Sequence, residues 1–169
     1  MNKLEDLYNA IAYAETGHLK DPYIRTQARG TGSSAYGPVQ INKAALTGPG
    51  YKDIGFTPEE HKFIQEKYLP QMDLFLKYGG DDMVEGMERY DYGQKGDFTE
   101  EDKSMYENMA KKLMNFEYNR TMKKPGATID DFIFAWRGES KDKDSRYYQT
   151  VKDRLLMNNV LKEQGSEAF

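Results

Sequence analysis

The chain of 169 residues contains no cysteine, two histidines and one tryptophan. Without cysteine it has no disulfide bond, no thiolate nucleophile and no thiolate metal ligand. The histidines fall in no HExxH pattern and the acidic residues form no EF-hand loop, so we expect no metal ion and no other cofactor. Carboxylates and neutral polar groups remain as the candidates for chemistry.

Long apolar runs and an excess of positive charge are also missing. No run approaches the roughly 18 apolar residues that indicate a membrane-spanning helix. The first residues, MNKLEDLYNA, lack the basic stretch and apolar segment of a secretory signal, so we expect neither membrane insertion nor signal-peptide export. A net charge of -4 gives no electrostatic reason to bind nucleic acid.

The rest of the composition is that of an ordinary globular protein. Hydrophobic residues make up 38% of the chain and aromatic residues 13%, which is enough for a core, while 31% charged residues and a mean hydropathy of -0.89 indicate a solvated surface. We expect one domain over residues 1–169, since a chain of this length supports a single core.

Helical periodicity with clear caps predicts a mainly α fold. No segment alternates as a strand does, and a very small β element is expected only within residues 26–36. The predicted helices begin at Asn2, Pro38, Thr57, Thr99, Thr128 and Asp144 or Ser145. The first ends at Gly17, the second covers residues 38–46, Pro70 breaks or kinks the third, and the fourth runs to about Thr121.

Glu15 lies at the end of an apolar helical stripe, where packing would favour leucine. Burial disfavours the ionised form of a carboxyl group, so such a side chain can keep a proton near neutral pH and act as a general acid. The structural alternative is that it caps the helix or pairs with Arg25 or Arg29. A polar, glycine-containing segment follows at residues 18–37, and loops of this length are usually functional or disordered. Neutral groups suited to sugar hydroxyls and amides follow: Thr31, Ser33, Ser34 and Gln40.

The segment from Glu15 to Ile41 resembles the lytic transglycosylases of the goose-type lysozyme superfamily. In that family a helix-borne Glu-Ser is followed by a Ser-Pro-x-Gly-Ala-x-Gly-Leu-Met-Gln-Ile loop. The matching loop residues are Thr31, Gly37, Gln40 and Ile41. Thr16 stands in place of the serine after the glutamate, Pro38-Val39 replaces Leu-Met, and the loop is several residues longer than in the family.

Two later segments extend the resemblance. FAWRGES, from Phe134 to Ser140, is similar to the family's Ala-Tyr-Asn-Ala-Gly segment, with Trp136 and Arg137 at the tyrosine and asparagine positions. SRYYQTVKDRL is similar to its Thr-Arg-x-Tyr-Val segment and places Tyr148 on the tyrosine that lies close to the catalytic acid in the family. Without the resemblance, Trp136 and Tyr148 would be interpreted as core residues. Tyr90 and Tyr92 are weaker candidates for the same tyrosine.

The resemblance implies a lysozyme-like fold with a groove and cleavage of peptidoglycan glycan strands. Glu15 would be the catalytic acid, and the substrate-binding residues would be Thr31, Ser33, Ser34, Gly37, Gln40, Trp136, Arg137 and Tyr148. The reaction implied is that of a lyase, which forms a 1,6-anhydromuramyl end without using water. The expected setting is a bacteriophage: an enzyme of cell wall degradation in the virion, where other virion proteins would be partners, or in the host cytoplasm before release.

Two other functions stay open at this point. A hydrolytic muramidase, a glycosidase of the lysozyme type, would need a second carboxylate, for which Asp21 and Asp91 are candidates. A non-catalytic wall-binding virion protein on the same scaffold is suggested by the departures at Trp136 and Arg137. His18, a lone histidine just past a helix end, is interpreted as a capping or surface residue.

Overall fold

Helices make up most of the structure, as the periodicity predicts. The computed structural model describes residues 3–17, 22–23, 36–70, 98–138 and 141–163. In these ranges the α-helices are α1 Lys3–Thr16, α2 Lys43–Thr47, α3 Pro58–Phe63, α4 Glu100–Met122, α5 Ile129–Arg137 and α6 Arg146–Glu163. A 3-10 turn covers Pro49–Asp53, and a π-helical turn, Ile64–Tyr68, continues α3. The same ranges contain no strand, and their β structure is an isolated antiparallel bridge between Tyr36 and Ile41. The prediction of a mainly α chain is confirmed.

Polar side chains cap the helices where the sequence predicts them. In each case a side-chain oxygen accepts a hydrogen bond from a backbone N–H group that the helix itself leaves without a partner. The pairs are Thr57 with Glu60, Thr99 with Asp102, Asp131 with Thr128, and Ser145 with Tyr148. The starts of α3, α4, α5 and α6 are therefore encoded locally.

The second predicted helix begins later than expected. Residues 38–46 were predicted to be helical from Pro38, but α2 starts at Lys43, where the Asn42 side chain accepts a hydrogen bond from the Ala45 N–H at 2.9 Å. Pro38 lies instead in a tight turn closed by the bridge between Tyr36 and Ile41. Proline suits the second position of a turn as well as the first turn of a helix, and the sequence alone does not separate the two.

The helix that begins at Pro58 widens just before Pro70. The Leu69 N–H donates to the Ile64 carbonyl five residues earlier, as in a π-helix. Proline cannot donate to the preceding turn and crowds its carbonyl, which accounts for a distortion there. Tyr68 lies in this wide turn with its side chain fully buried. The distortion next to Pro70 is thus a π-helical turn that contains a buried tyrosine.

Helix α4 passes through the centre of the core. It packs against α1, α3 and α5, while α6 packs against α1 and α5. Its fully buried side chains are Tyr106, Met109, Ala110 and Met114. On α6 the buried side chains include Tyr147, Tyr148 and Val151, whereas Leu156 is 63% exposed.

Candidate active site

Glu15 occupies the last turn of α1 and is largely shielded from solvent. Its side chain is 13% exposed, and the carboxylate oxygen Oε2 lies 3.6 Å from a guanidinium nitrogen of Arg137, the last residue of α5. The Arg137 side chain is 37% exposed. A carboxyl group from one helix end and a guanidinium group from another therefore meet at the surface of the core.

A tight turn, Gly37–Gln40, lies beside these helix ends. The Gln40 N–H donates to the Gly37 carbonyl at 3.0 Å, and the flanking Tyr36 and Ile41 exchange two backbone hydrogen bonds of 3.1 Å. Gly37 has a φ of 83° and Gln40 a φ of 54°. Glycine adopts such a conformation without strain, whereas glutamine requires a local compensation. Here the Gln40 side-chain amide donates to the Gly37 carbonyl at 2.8 Å.

Two buried tyrosines from distant helices form hydrogen bonds to the backbone of this turn and its flanking residues. The Tyr106 hydroxyl of α4 donates to the Tyr36 carbonyl at 3.1 Å and accepts from the Val39 N–H at 3.2 Å. The Tyr68 hydroxyl lies 2.7 Å from the Ile41 carbonyl and 3.0 Å from that of Tyr36. Buried backbone groups thus receive partners that a turn cannot supply itself.

The turn is also tied to both helix ends that carry charged groups. The hydroxyl of Thr16, next to Glu15, donates to the Pro38 carbonyl at 2.9 Å. The indole N–H of Trp136, next to Arg137, donates to the Val39 carbonyl at 3.2 Å. Adjacent carbonyls of one turn therefore fix the ends of α1 and α5 and, with them, the relative positions of the carboxyl and the guanidinium groups.

Arg137 also contacts Tyr147 of α6. The centre of the guanidinium group lies 4.5 Å from the centre of the buried Tyr147 ring, a geometry typical of a cation–π contact. We call Glu15, Arg137 and Tyr147 the acid cluster. Tyr147 is not among the residues predicted from the sequence, where the available signal was its neighbour Tyr148 on the same helix.

Tyr148, which the resemblance places close to the catalytic acid, packs against α5. Its ring stacks on Phe134 with centroids 5.0 Å apart, and its hydroxyl donates to the Asp130 carboxylate. Asp130 lies in the first turn of α5 and Arg137 at its end, about 10 Å apart along the axis at 1.5 Å per residue. Burial and the hydrogen bond to Asp130 raise the pKa of the Tyr148 hydroxyl. The contacts of Tyr148 are therefore with α5, while the adjacent Tyr147 contacts Arg137, and the proximity of Tyr148 to Glu15 stays a prediction.

The other predicted site residues divide into two groups. Gly37, Gln40, Trp136 and Arg137 lie in the turn or at the end of α5, as described above. Thr31, Ser33 and Ser34 fall outside the described residues, and so do His18, Asp21 and Asp91. Trp136 is half-buried, and its ring packs 6.1 Å from that of Phe132. It therefore has a structural role in holding the turn, and one side of it remains accessible.

Within the described ranges, no set of three or more histidine or acidic side chains is placed to bind a metal ion. None of the described helices has the length and apolarity needed to cross a bilayer. Comparison with protein-family models, curated protein sequences and solved structures gives no match.

Proposed function

We propose that the chain is a peptidoglycan lytic transglycosylase in which Glu15 is the catalytic acid. The observation that carries the proposal is the placement of the Glu15 carboxyl group, largely shielded from solvent, at a helix end that Thr16 ties to the Gly37–Gln40 turn. This turn contains the glycine and glutamine positions of the resemblance, and the isoleucine position, Ile41, follows it directly. Motif residues that are distant in sequence thus converge on one side of the core.

In the proposed reaction the Glu15 carboxyl group donates its proton to the oxygen of the bond between N-acetylmuramic acid and N-acetylglucosamine. That bond breaks, and the acetamido group of the muramyl residue stabilises the cation that forms. The Glu15 carboxylate then takes the proton of the muramyl 6-hydroxyl, whose oxygen closes the 1,6-anhydro ring. One carboxyl group serves as acid and then as base, and water is not consumed. General acid catalysis of this kind contributes on the order of 10² to 10⁴ in rate.

The products distinguish this reaction from that of a hydrolytic muramidase. Peptidoglycan digested with the protein is expected to yield muropeptides that end in 1,6-anhydromuramic acid, measured by liquid chromatography and mass spectrometry. Reducing ends, which are heavier by one water molecule, would assign hydrolysis and require a second carboxylate such as Asp21 or Asp91. Absence of any cleavage with retained binding to the wall would instead support a non-catalytic wall-binding protein.

Arg137 provides a second test, because its charge acts directly on Glu15. A positive charge at this distance favours the ionised form of a carboxyl group, whereas the first step requires the protonated form. Replacement of Arg137 by glutamine is therefore expected to raise the pKa of Glu15. The activity should then begin to fall at a higher pH on the alkaline side of the optimum. The replacement should also lower activity at the optimum roughly tenfold, since the carboxyl group loses an orienting contact.

Arg137→Lys is the matched control, since it keeps the charge and should leave the alkaline limb close to its original position. The measurement is the pH dependence of anhydromuropeptide release for the wild type and both variants. Identical pH profiles for Arg137→Gln and the wild type would contradict a role of Arg137 in setting the protonation of Glu15. Equal shifts in the two variants would show that the charge is not the cause.

A further inference from the structure

A groove lies along α4, lined by none of the acid cluster residues. Its volume is about 1090 Å³, at the upper end of the usual range for ligand sites. The walls are the start of α1, residues 53–60, and the face of α4 from Met105 to Lys123. At 1.5 Å per residue this face is about 27 Å long, so the groove suits an extended ligand. We call it the α4 groove.

Amide side chains line the α4 groove from one face of the helix. Asparagine occurs in α4 at positions 108, 115 and 119, and all three residues are exposed and line this groove. Asparagine is a weaker helix former than lysine, glutamate or alanine, so its use on one face costs helix stability. Each amide supplies two donors and one acceptor, which match hydroxyl and acetamido groups. Half-buried apolar side chains lie between them: Leu4, Ile54, Met105 and Phe116.

The charges of the groove are nearly balanced, which argues against an anionic ligand. Its cationic side chains are Lys111, Lys112, Arg120 and Lys123, and its acidic ones are Asp53, Glu59 and Glu60. Lys111, Lys112 and Arg120 are each engaged in an ion pair with a glutamate. A neutral ligand with many hydrogen-bonding groups fits this lining better than a phosphate or a nucleic acid.

Glu60 leaves an unused acceptor in the wall of the groove. Its residue surface is 5% exposed, and both Lys112 and the Thr57 N–H donate to the same carboxylate oxygen, Oε1. The other oxygen, Oε2, receives no hydrogen bond from the residues that the structure describes. Burial alone would raise the pKa of Glu60, but the hydrogen bonds from Lys112 and Thr57 outweigh it and lower the pKa. Buried acceptors without a partner are costly, so a ligand donor that reaches Oε2 from this wall of the groove would be favoured.

We propose that the α4 groove binds an N-acetylated glycan strand at a site separate from the acid cluster. The asparagine amides bond the hydroxyl and acetamido groups, Glu60 accepts a hydroxyl or amide N–H, and Phe116 with its apolar neighbours contacts the sugar faces. The inference that this glycan is peptidoglycan rests on the proposed function. In that case the α4 groove holds the enzyme on the polymer while Glu15 acts on another part of it.

The test is a titration of the Glu15→Gln protein, which should not consume the ligand, with the tetramer of N-acetylglucosamine. Backbone amide NMR signals of Thr57, Asn115 and Phe116 are expected to shift and saturate, with a dissociation constant distinct from that of the signals around Gly37–Gln40. Asn115→Arg places a long side chain in the groove from an exposed helix position and should weaken binding there at least tenfold. Ser104→Arg, exposed on the same helix but outside the groove, should bind like the parent protein.

Three outcomes would overturn the proposal: no saturable shift at the groove, equal weakening by Asn115→Arg and Ser104→Arg, or saturation of the groove by an isolated stem peptide but not by the glycan. Glu60→Gln is a supporting variant only if its melting temperature stays close to the parent value, because Glu60 also caps α3. Failure here leaves the proposed function intact if the wild type still releases anhydromuropeptides. Groove binding without any glycan cleavage would contradict the proposed function and leave the α4 groove as a wall-binding site.

Discussion

Replacement of Glu15 by glutamine is expected to abolish glycan cleavage and to leave the fold unchanged. Glutamine has nearly the size of glutamic acid and keeps one acceptor oxygen, but its amide cannot act as a general acid toward a leaving oxygen. The rate of anhydromuropeptide release should therefore fall by about 10² to 10⁴ or more. The variant also loses the ion pair with Arg137. Because the Arg137 side chain is partly exposed, this pair contributes about 1 kcal/mol or less to stability. Thermal unfolding followed by circular dichroism should give nearly the same melting temperature.

Glu5→Gln is the matched control for this experiment. Glu5 lies on the same helix and forms an ion pair with Lys111 of α4, away from the acid cluster. Its replacement removes one carboxylate and one ion pair but should leave glycan cleavage intact. Asp21→Asn and Asp91→Asn separate the two enzymatic mechanisms, since only hydrolysis depends on one of these carboxylates. Retention of most activity in Glu15→Gln would remove this residue from the mechanism.

Local signals account for the parts of the fold that the sequence predicts well. The starts of α3 and α4 follow from a capping threonine. Its hydroxyl accepts a hydrogen bond from the backbone N–H of the third helical residue, and the carboxylate of that residue accepts one from the threonine N–H. Such a cap involves four consecutive residues, so it can be recognised without any knowledge of tertiary contacts. The predicted start of α2 was wrong because Pro38 suits a turn as well as a helix. The turn is stabilised by hydrogen bonds from Tyr68 and Tyr106, which are 30 and 68 residues away.

The candidate site shows the same division between local and distant information. The position of Glu15 on the inner side of a helix could be inferred from the spacing of apolar residues in α1. Its pairing with Arg137 could not, because it depends on how the ends of α1 and α5 are joined through the Pro38 and Val39 carbonyls. The contacts of the two adjacent tyrosines depend on tertiary packing in the same way, because a tyrosine motif does not reveal which ring meets which neighbour. The contact with Arg137 belongs to Tyr147.

Gly37→Ala is expected to have the largest effect on stability among single substitutions in the turn. A Cβ atom on Gly37 would lie 2.5 Å from the Tyr106 hydroxyl oxygen and closer still to two ring carbons. The Tyr106 ring cannot move aside easily, because it is fully buried and its hydroxyl bonds the Tyr36 carbonyl and the Val39 N–H. The left-handed φ of 83° adds strain for any residue with a Cβ atom. Together these effects should lower the free energy of unfolding by about 3 kcal/mol or more, or roughly 10 °C in melting temperature.

Gly55→Ala separates the two causes. Gly55 has nearly the same φ, 85°, but no atom lies within 4 Å of the position its Cβ would take. This variant should therefore show only the conformational strain, about 1 to 2 kcal/mol. Urea unfolding measures the free energy of unfolding of both variants. The difference between them is the contribution of the clash with Tyr106. If that contact fixes the turn beside Glu15, Gly37→Ala should also lose glycan cleavage at temperatures where it remains folded, while Gly55→Ala should keep it. Equal losses of stability in the two variants would show that Tyr106 does not determine the position of the turn.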